Sequence, residues 1–84
     1  MTLQTQIKRI LVDALHLEDF PPDTIDDKEP LFGGRLGLDS IDALEIVHQV
    51  EKNFGIHMKD RIEARAAIET INTLAAYIED RRQD

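Results

Sequence analysis

The sequence predicts an all-α fold: a small bundle of three longer helices and one short third helix, with a long loop between the first and second, in a single domain over residues 1–84. Three observations lead there. Apolar residues recur at spacings of three and four in separate stretches, the signature of one-sided helices. Residues that start and stop helices flank those stretches. Nearly all the proline and glycine falls in one segment, where that spacing disappears.

Leu3, Ile7, Ile10, Leu11, Ala14 and Leu15 form one stripe of a first helix over roughly residues 3–16, which Thr2 or Thr5 can cap, while Gln4, Lys8, Arg9 and Asp13 take the opposite face. From Leu17 to Leu38 the spacing is lost, and Pro21, Pro22, Pro30, Gly33, Gly34 and Gly37 interrupt regular structure. A loop of this length in a small domain has to be tied down or functional. Phe20, Ile25, Leu31, Phe32 and Leu36 supply the ties, with a short turn expected near Asp23 to Asp26. The acids Asp23, Asp26, Asp27 and Glu29 do not make a calcium loop, because Lys28 and Gly34 stand where an EF-hand needs glycine and glutamate. No metal site is expected.

The second helix is expected from about Ser40 to Asn53, with Gly55 as its left-handed stop. Ala43, Leu44, Val47, Val50 and Phe54 make its inner stripe, which Ile41 and Ile46 widen; Asp42, Glu45, Gln49 and Lys52 make its polar face. Ile56-His57-Met58 reads as an extended connector. Asp60 can cap a short third helix, Arg61 to Ala67, with Ile62, Ala66 and Ala67 as its apolar members and Ala64 beside them. Asn72, with Thr70 as rival, caps the last helix, whose inner face is Leu74, Ala75, Tyr77 and Ile78. The polar tail from residue 79 is expected to fray.

Composition narrows the function. A chain of 84 residues buries only about 60–65% of its unfolded surface, so the core is thin, and with 5% aromatic residues it must be aliphatic. No run approaches the roughly 18 apolar residues of a membrane span, and Met1-Thr2-Leu3-Gln4-Thr5 is not a signal peptide, which points to the cytoplasm. There is no cysteine for a disulfide or a thiolate metal site. A formal net charge of −7 argues against nucleic acid and for basic partner proteins. A monomer is expected.

The stretch Leu36-Gly37-Leu38-Asp39-Ser40-Ile41-Asp42-Ala43-Leu44-Glu45 carries the chemistry. Asp-Ser before an apolar run is in the first place a helix start, since side-chain oxygens accept the backbone N–H groups that have no partner in the first turn. With Asp39 as the cap, Ser40 stands at the first helical position with a hydroxyl free to face water. Gly37 lets the loop bend, Leu38 and Ile41 flank the serine and can pin loop and helix to the core, and Asp42 and Glu45 lie three apart beside it.

This run resembles the attachment motif of acyl carrier proteins, and the resemblance extends from the first helix to Ile78. It implies an acyl-carrier-like bundle that is not an enzyme. Ser40 would be esterified with 4′-phosphopantetheine taken from coenzyme A by a phosphopantetheinyl transferase, with Asp39 completing the motif. The arm's thiol would hold acyl intermediates of fatty-acid, polyketide or related lipid biosynthesis as thioesters. Asp42 and Glu45 would meet basic docking surfaces on acyl-transfer, ketosynthase or acyl-activating enzymes, although both also suit the helix dipole. An acyl chain could lie between the second and third helices, with Leu44, Val47, Ile62 and Ala67 as candidate lining.

Other readings fare less well. A Ser-His-acid triad fails because His48 is eight residues beyond Ser40, about 12 Å along one helix, and no Gly-x-Ser-x-Gly elbow is present. A carrier of aryl or aminoacyl groups is an alternative, but Gly33-Gly34 stand too early for the peptidyl-carrier motif. A third possibility is an unmodified helical interaction module in which Ser40 merely helps to start a helix. The phrase Ile-Asp-Ala-Leu-Glu-Ile after Ser40 is more similar to stand-alone carriers of specialised bacterial pathways than to primary fatty-acid carriers.

Overall fold

The computed structural model describes residues 2–82. Four α-helices build it: α1 (Leu3–Ala14), α2 (Ser40–Phe54), α3 (Arg61–Ala67) and α4 (Ile71–Arg81), with a 3-10 turn at Pro22–Thr24 in the long loop. α1 packs against both α2 and α4, and α3 packs on α4. Ile7, Leu31, Ile46, Ile71, Leu74 and Ile78 are the fully buried centre, an aliphatic core with no buried charged or polar side chain among the described residues.

Each helix end has a local cause. The Thr2 hydroxyl oxygen accepts the Thr5 N–H at 3.1 Å and starts α1. The helix stops at Ala14, earlier than its apolar spacing implies, because His16 turns into the left-handed region at φ 55° and the Leu17 N–H reaches back to the Val12 carbonyl at 3.0 Å. That closing pattern normally employs glycine. α2 ends as expected at Gly55, with φ 68°. α4 is capped by Thr70, not Asn72: Thr70 accepts the Thr73 N–H at 3.0 Å and Thr73 Oγ1 accepts the Thr70 N–H at 2.9 Å. The Asn72 N–H instead binds the Asp27 carbonyl at 2.9 Å.

Two helix faces depart from the sequence expectation. In α2 the buried residues are Ile46 and Val50, whereas Leu44 is 71% and Ile41 75% exposed. The apolar residues of this helix cover too wide an arc for spacing alone to choose its centre, and the side facing α1 decides it. In α3 the buried pair is Ala64 and Ala67, and Ile62 is 83% exposed. Ile62 precedes Ala64 by two residues, more than half a turn, so both cannot face α4. α4 continues into the polar tail as far as Arg81, whose guanidinium pairs with Glu63 of α3 and lies 4.6 Å from the Tyr77 ring. Gln83 and Asp84 lie outside the described residues.

The loop between α1 and α2 is tied at several points. Ile25, Leu31, Leu36 and Leu38 are buried, and Phe20 and Phe32 half-buried. Its backbone is joined to the α3–α4 corner by the Leu31 N–H to the Glu69 carbonyl (2.8 Å) and by the Asn72–Asp27 bond. Arg35 crosses it to the Thr24 carbonyl and the Glu29 carboxylate. These ties deliver the chain to the start of α2 in one fixed arrangement. No helix among the described residues is long and apolar enough to cross a membrane.

Candidate functional site

The start of α2 is fixed by its own first turn. Asp39 Oδ1 accepts the N–H groups of Ile41 (3.1 Å) and Asp42 (3.2 Å), and Asp42 Oδ2 accepts the Asp39 N–H at 3.0 Å. This reciprocal box satisfies otherwise unpartnered donors of the first turn. Ser40, at the first helical position, takes no part in it and is exposed. On the loop side, Leu38 is buried and bridges to Phe32, while Gly37 takes φ 65° with open space around it, so its glycine is required by backbone conformation rather than by room. Of the two apolar neighbours expected to pin the serine, only Leu38 does so; Ile41 faces outward.

Beside Ser40 runs a groove of about 650 Å³ between α2 and α3. From α2 it is lined by Ser40, Ala43, Leu44 and Val47, and across from them by Met58, Ala64 and Ile68. Leu44 and Val47 thus lie where the sequence anticipated. Ile62 and Ala67 do not: Ile62 lines a second groove of about 560 Å³ on the other side of α3, with Phe32 and Pro30, and Ala67 is buried toward α4. Ala64 and Ile68 occupy the wall in their stead.

Asp42 and Glu45 are half-buried on one face of α2, and both carboxylates are engaged within the helix. Asp42 serves the capping box, and Glu45 Oε2 accepts the Gln49 side-chain amide at 2.7 Å. The histidines do not gather at Ser40. His57 pairs with Glu51, His16 stands 3.9 Å from Glu18, and His48 lies along the same helix as Ser40.

The sequence reading missed the cations. Lys59, Arg61 and Arg65 all line the groove that Ser40 opens onto. The signal was available: Arg61 and Arg65 are four apart on a helix and therefore on one face, in a chain with only ten basic residues.

Comparison with known proteins bears on what the exposed serine serves. The family described as phosphopantetheine attachment site matches residues 5–78. Among curated proteins, "Acyl carrier protein 3" of Ralstonia nicotianae is 37% identical over 78 residues, covering 93% of this chain and 83% of that protein.

Proposed function

The chain belongs to the acyl carrier proteins, which hold a covalent 4′-phosphopantetheine, and from that premise we propose that Ser40 is the residue that carries the arm. One observation carries the proposal: an exposed hydroxyl at the first turn of α2 that the capping bonds leave unengaged. The residues present fit such a group. Ser40 offers an accessible oxygen, and the groove alongside it gives an apolar floor on which an extended arm or chain can lie.

In the loading reaction Ser40 Oγ attacks the phosphorus of coenzyme A nearest the pantetheine. The new O–P bond replaces the phosphoanhydride bond, adenosine 3′,5′-bisphosphate leaves with the electron pair, and a base on the transferase takes the serine proton. When bound, the arm supplies a thiol that holds an acyl group as a thioester. The chain itself contributes position. Asp39 and Asp42 hold the helix start, Leu38 anchors the loop, and Gly37 makes the turn between them. With no cysteine in the chain, no internal thiol competes for the acyl group.

The carrier makes no bonds of its own. Tethering raises the effective concentration of the acyl group at each partner's active site. Partners with basic faces suit the net charge of −7, and Asp42 and Glu45 are the acids nearest the serine on α2. Because both are already engaged in local hydrogen bonds, the exposed Ile41 and Leu44 beside them are the better candidates for direct contact. The cargo we propose is an acyl chain of fatty-acid, polyketide or related lipid biosynthesis, carried in the cytoplasm.

The test is intact mass after incubation with coenzyme A, magnesium and a broad-specificity phosphopantetheinyl transferase. The expected result is a gain of one phosphopantetheinyl group on the wild type and none on Ser40→Ala. No gain with a transferase active on another carrier would overturn the assignment.

A further inference from the structure

We infer that the groove between α2 and α3 selects an acyl group bearing a carboxylate, held by Lys59 and Arg61 with Arg65 beside them; this rests on Ser40 being the attachment point. Three observations lead to it.

The first is charge that has no partner. In a chain of net charge −7, Lys8 is paired with Asp27 at 2.6 Å, Arg35 with Glu29 at 3.0 Å, and Arg81 with Glu63. Among the described residues no carboxylate lies within ion-pair distance of Lys59, Arg61 or Arg65. Arg9, Lys28 and Lys52 also stand outside any ion pair among the described residues, so what sets Lys59, Arg61 and Arg65 apart is that they share one groove whose lining holds no acid, in a chain where acids outnumber bases 17 to 10.

The second is their location. All three line the same groove as Ser40; Arg61 and Arg65 also line the second groove on the other side of α3, so they stand between the two and Lys59 belongs to this one alone. Arg65 is partly committed, its guanidinium lying 5.3 Å from the Phe32 ring, which leaves Lys59 and Arg61 as the freer donors. A guanidinium presents a planar fork that matches a carboxylate with two parallel hydrogen bonds, so an anionic end would be oriented as well as attracted.

The third is the division of the groove into floor and rim. Ala43, Val47, Ala64 and Ile68, buried or half-buried, form an apolar floor suited to methylene groups; the exposed Leu44 and the exposed cations line the groove too, the cations on the α3 side. A volume of about 650 Å³ is that of a small-molecule site. An aliphatic stem with a charged end meets both parts. A purely aliphatic chain would leave the cations unanswered. An acidic face of a partner protein would meet the cations, but it would not fill the apolar floor between two helices.

The experiment loads the apo protein from two coenzyme A thioesters of equal carbon number, pentanoyl and glutaryl, which differ in the terminal carboxylate, and compares both with the unacylated holo form by ¹H–¹⁵N NMR. Intact mass is read first: absence of any gain refutes the Ser40 assignment and this proposal together, before any spectrum is taken. With loading established, the backbone signals of Lys59, Arg61 and Arg65 and the guanidinium signals of the two arginines should move in the glutaryl form and not in the pentanoyl form. The difference should shrink in Lys59→Gln and in Arg61→Gln, and again at high salt, as expected of a screened ion pair. Both residues are exposed, so an otherwise unchanged spectrum verifies that each variant folds. Equal movement in both acyl forms, or none in either, overturns the proposal and leaves the cations to an acidic partner surface. Full movement already in the holo form also overturns it, because the anion held is then the arm's own phosphodiester.

Discussion

Asp39 and Asp42 hold each other's backbone: Asp39 Oδ1 accepts the Asp42 N–H at 3.2 Å and Asp42 Oδ2 accepts the Asp39 N–H at 3.0 Å. Two carboxylates therefore hold the first turn of α2 around a serine that neither of them binds. Asp39→Ala removes two capping bonds and is expected to destabilise the protein by about 1 kcal/mol. Asp42→Ala, which removes one, should cost less, and the two losses should couple in a double-mutant cycle read by urea unfolding.

Ser40→Ala separates chemistry from stability. As an exposed residue outside the capping bonds it should change stability by no more than about 0.5 kcal/mol, while phosphopantetheinylation is lost completely. Thermal unfolding and intact mass on the same sample check both halves.

The rotation of α2 is tested by a pair of truncations. Ile46 is fully buried, and even Ile46→Val should cost about 0.5–1.5 kcal/mol. Leu44 is 71% exposed, so the larger change Leu44→Ala should stay within about 0.5 kcal/mol. Were Leu44 at the centre of the inner stripe, the order would reverse in denaturant melts.

His16 holds a left-handed conformation at the end of α1 with a side chain that disfavours it. His16→Gly is expected to stabilise the protein by up to about 1 kcal/mol, the relieved strain being partly offset by the entropy of glycine in the unfolded chain. A fall in the melting temperature would show that the His16 side chain, rather than the backbone, is what matters there.

Features that depend on adjacent residues were legible in the sequence: Asp39 and Asp60 as caps, Gly55 as a stop, Ser40 exposed at the first turn, and the aliphatic core. Features set by distant packing were not. Leu44 and Ile46 are equally apolar, and only the position of α1 chooses between them. Asn72 is as good a cap as Thr70 in isolation, but Thr73 completes a box with Thr70 alone. Ile62 stands outside the groove because it lies more than half a turn from Ala64, which lines it. The cationic wall was hidden for a different reason: Lys59, Arg61 and Arg65 look like ordinary surface residues until the fold brings them alongside Ser40.

The two main-chain bonds that fasten the long loop, Asp27 to Asn72 and Leu31 to Glu69, have a consequence for how this protein can vary. A peptide group offers the same donor and acceptor whatever side chain it bears. An exposed side chain there such as Lys28 can therefore be replaced as long as the number of residues is kept, whereas an insertion or deletion would put one anchor out of register. Over Asp27 to Leu31 the loop is strict in length, and in spelling only at Asp27, Glu29 and Leu31, which are held by Lys8, by Arg35 and by the core. Swapping such segments between related proteins should accordingly succeed when the two anchors are matched residue for residue.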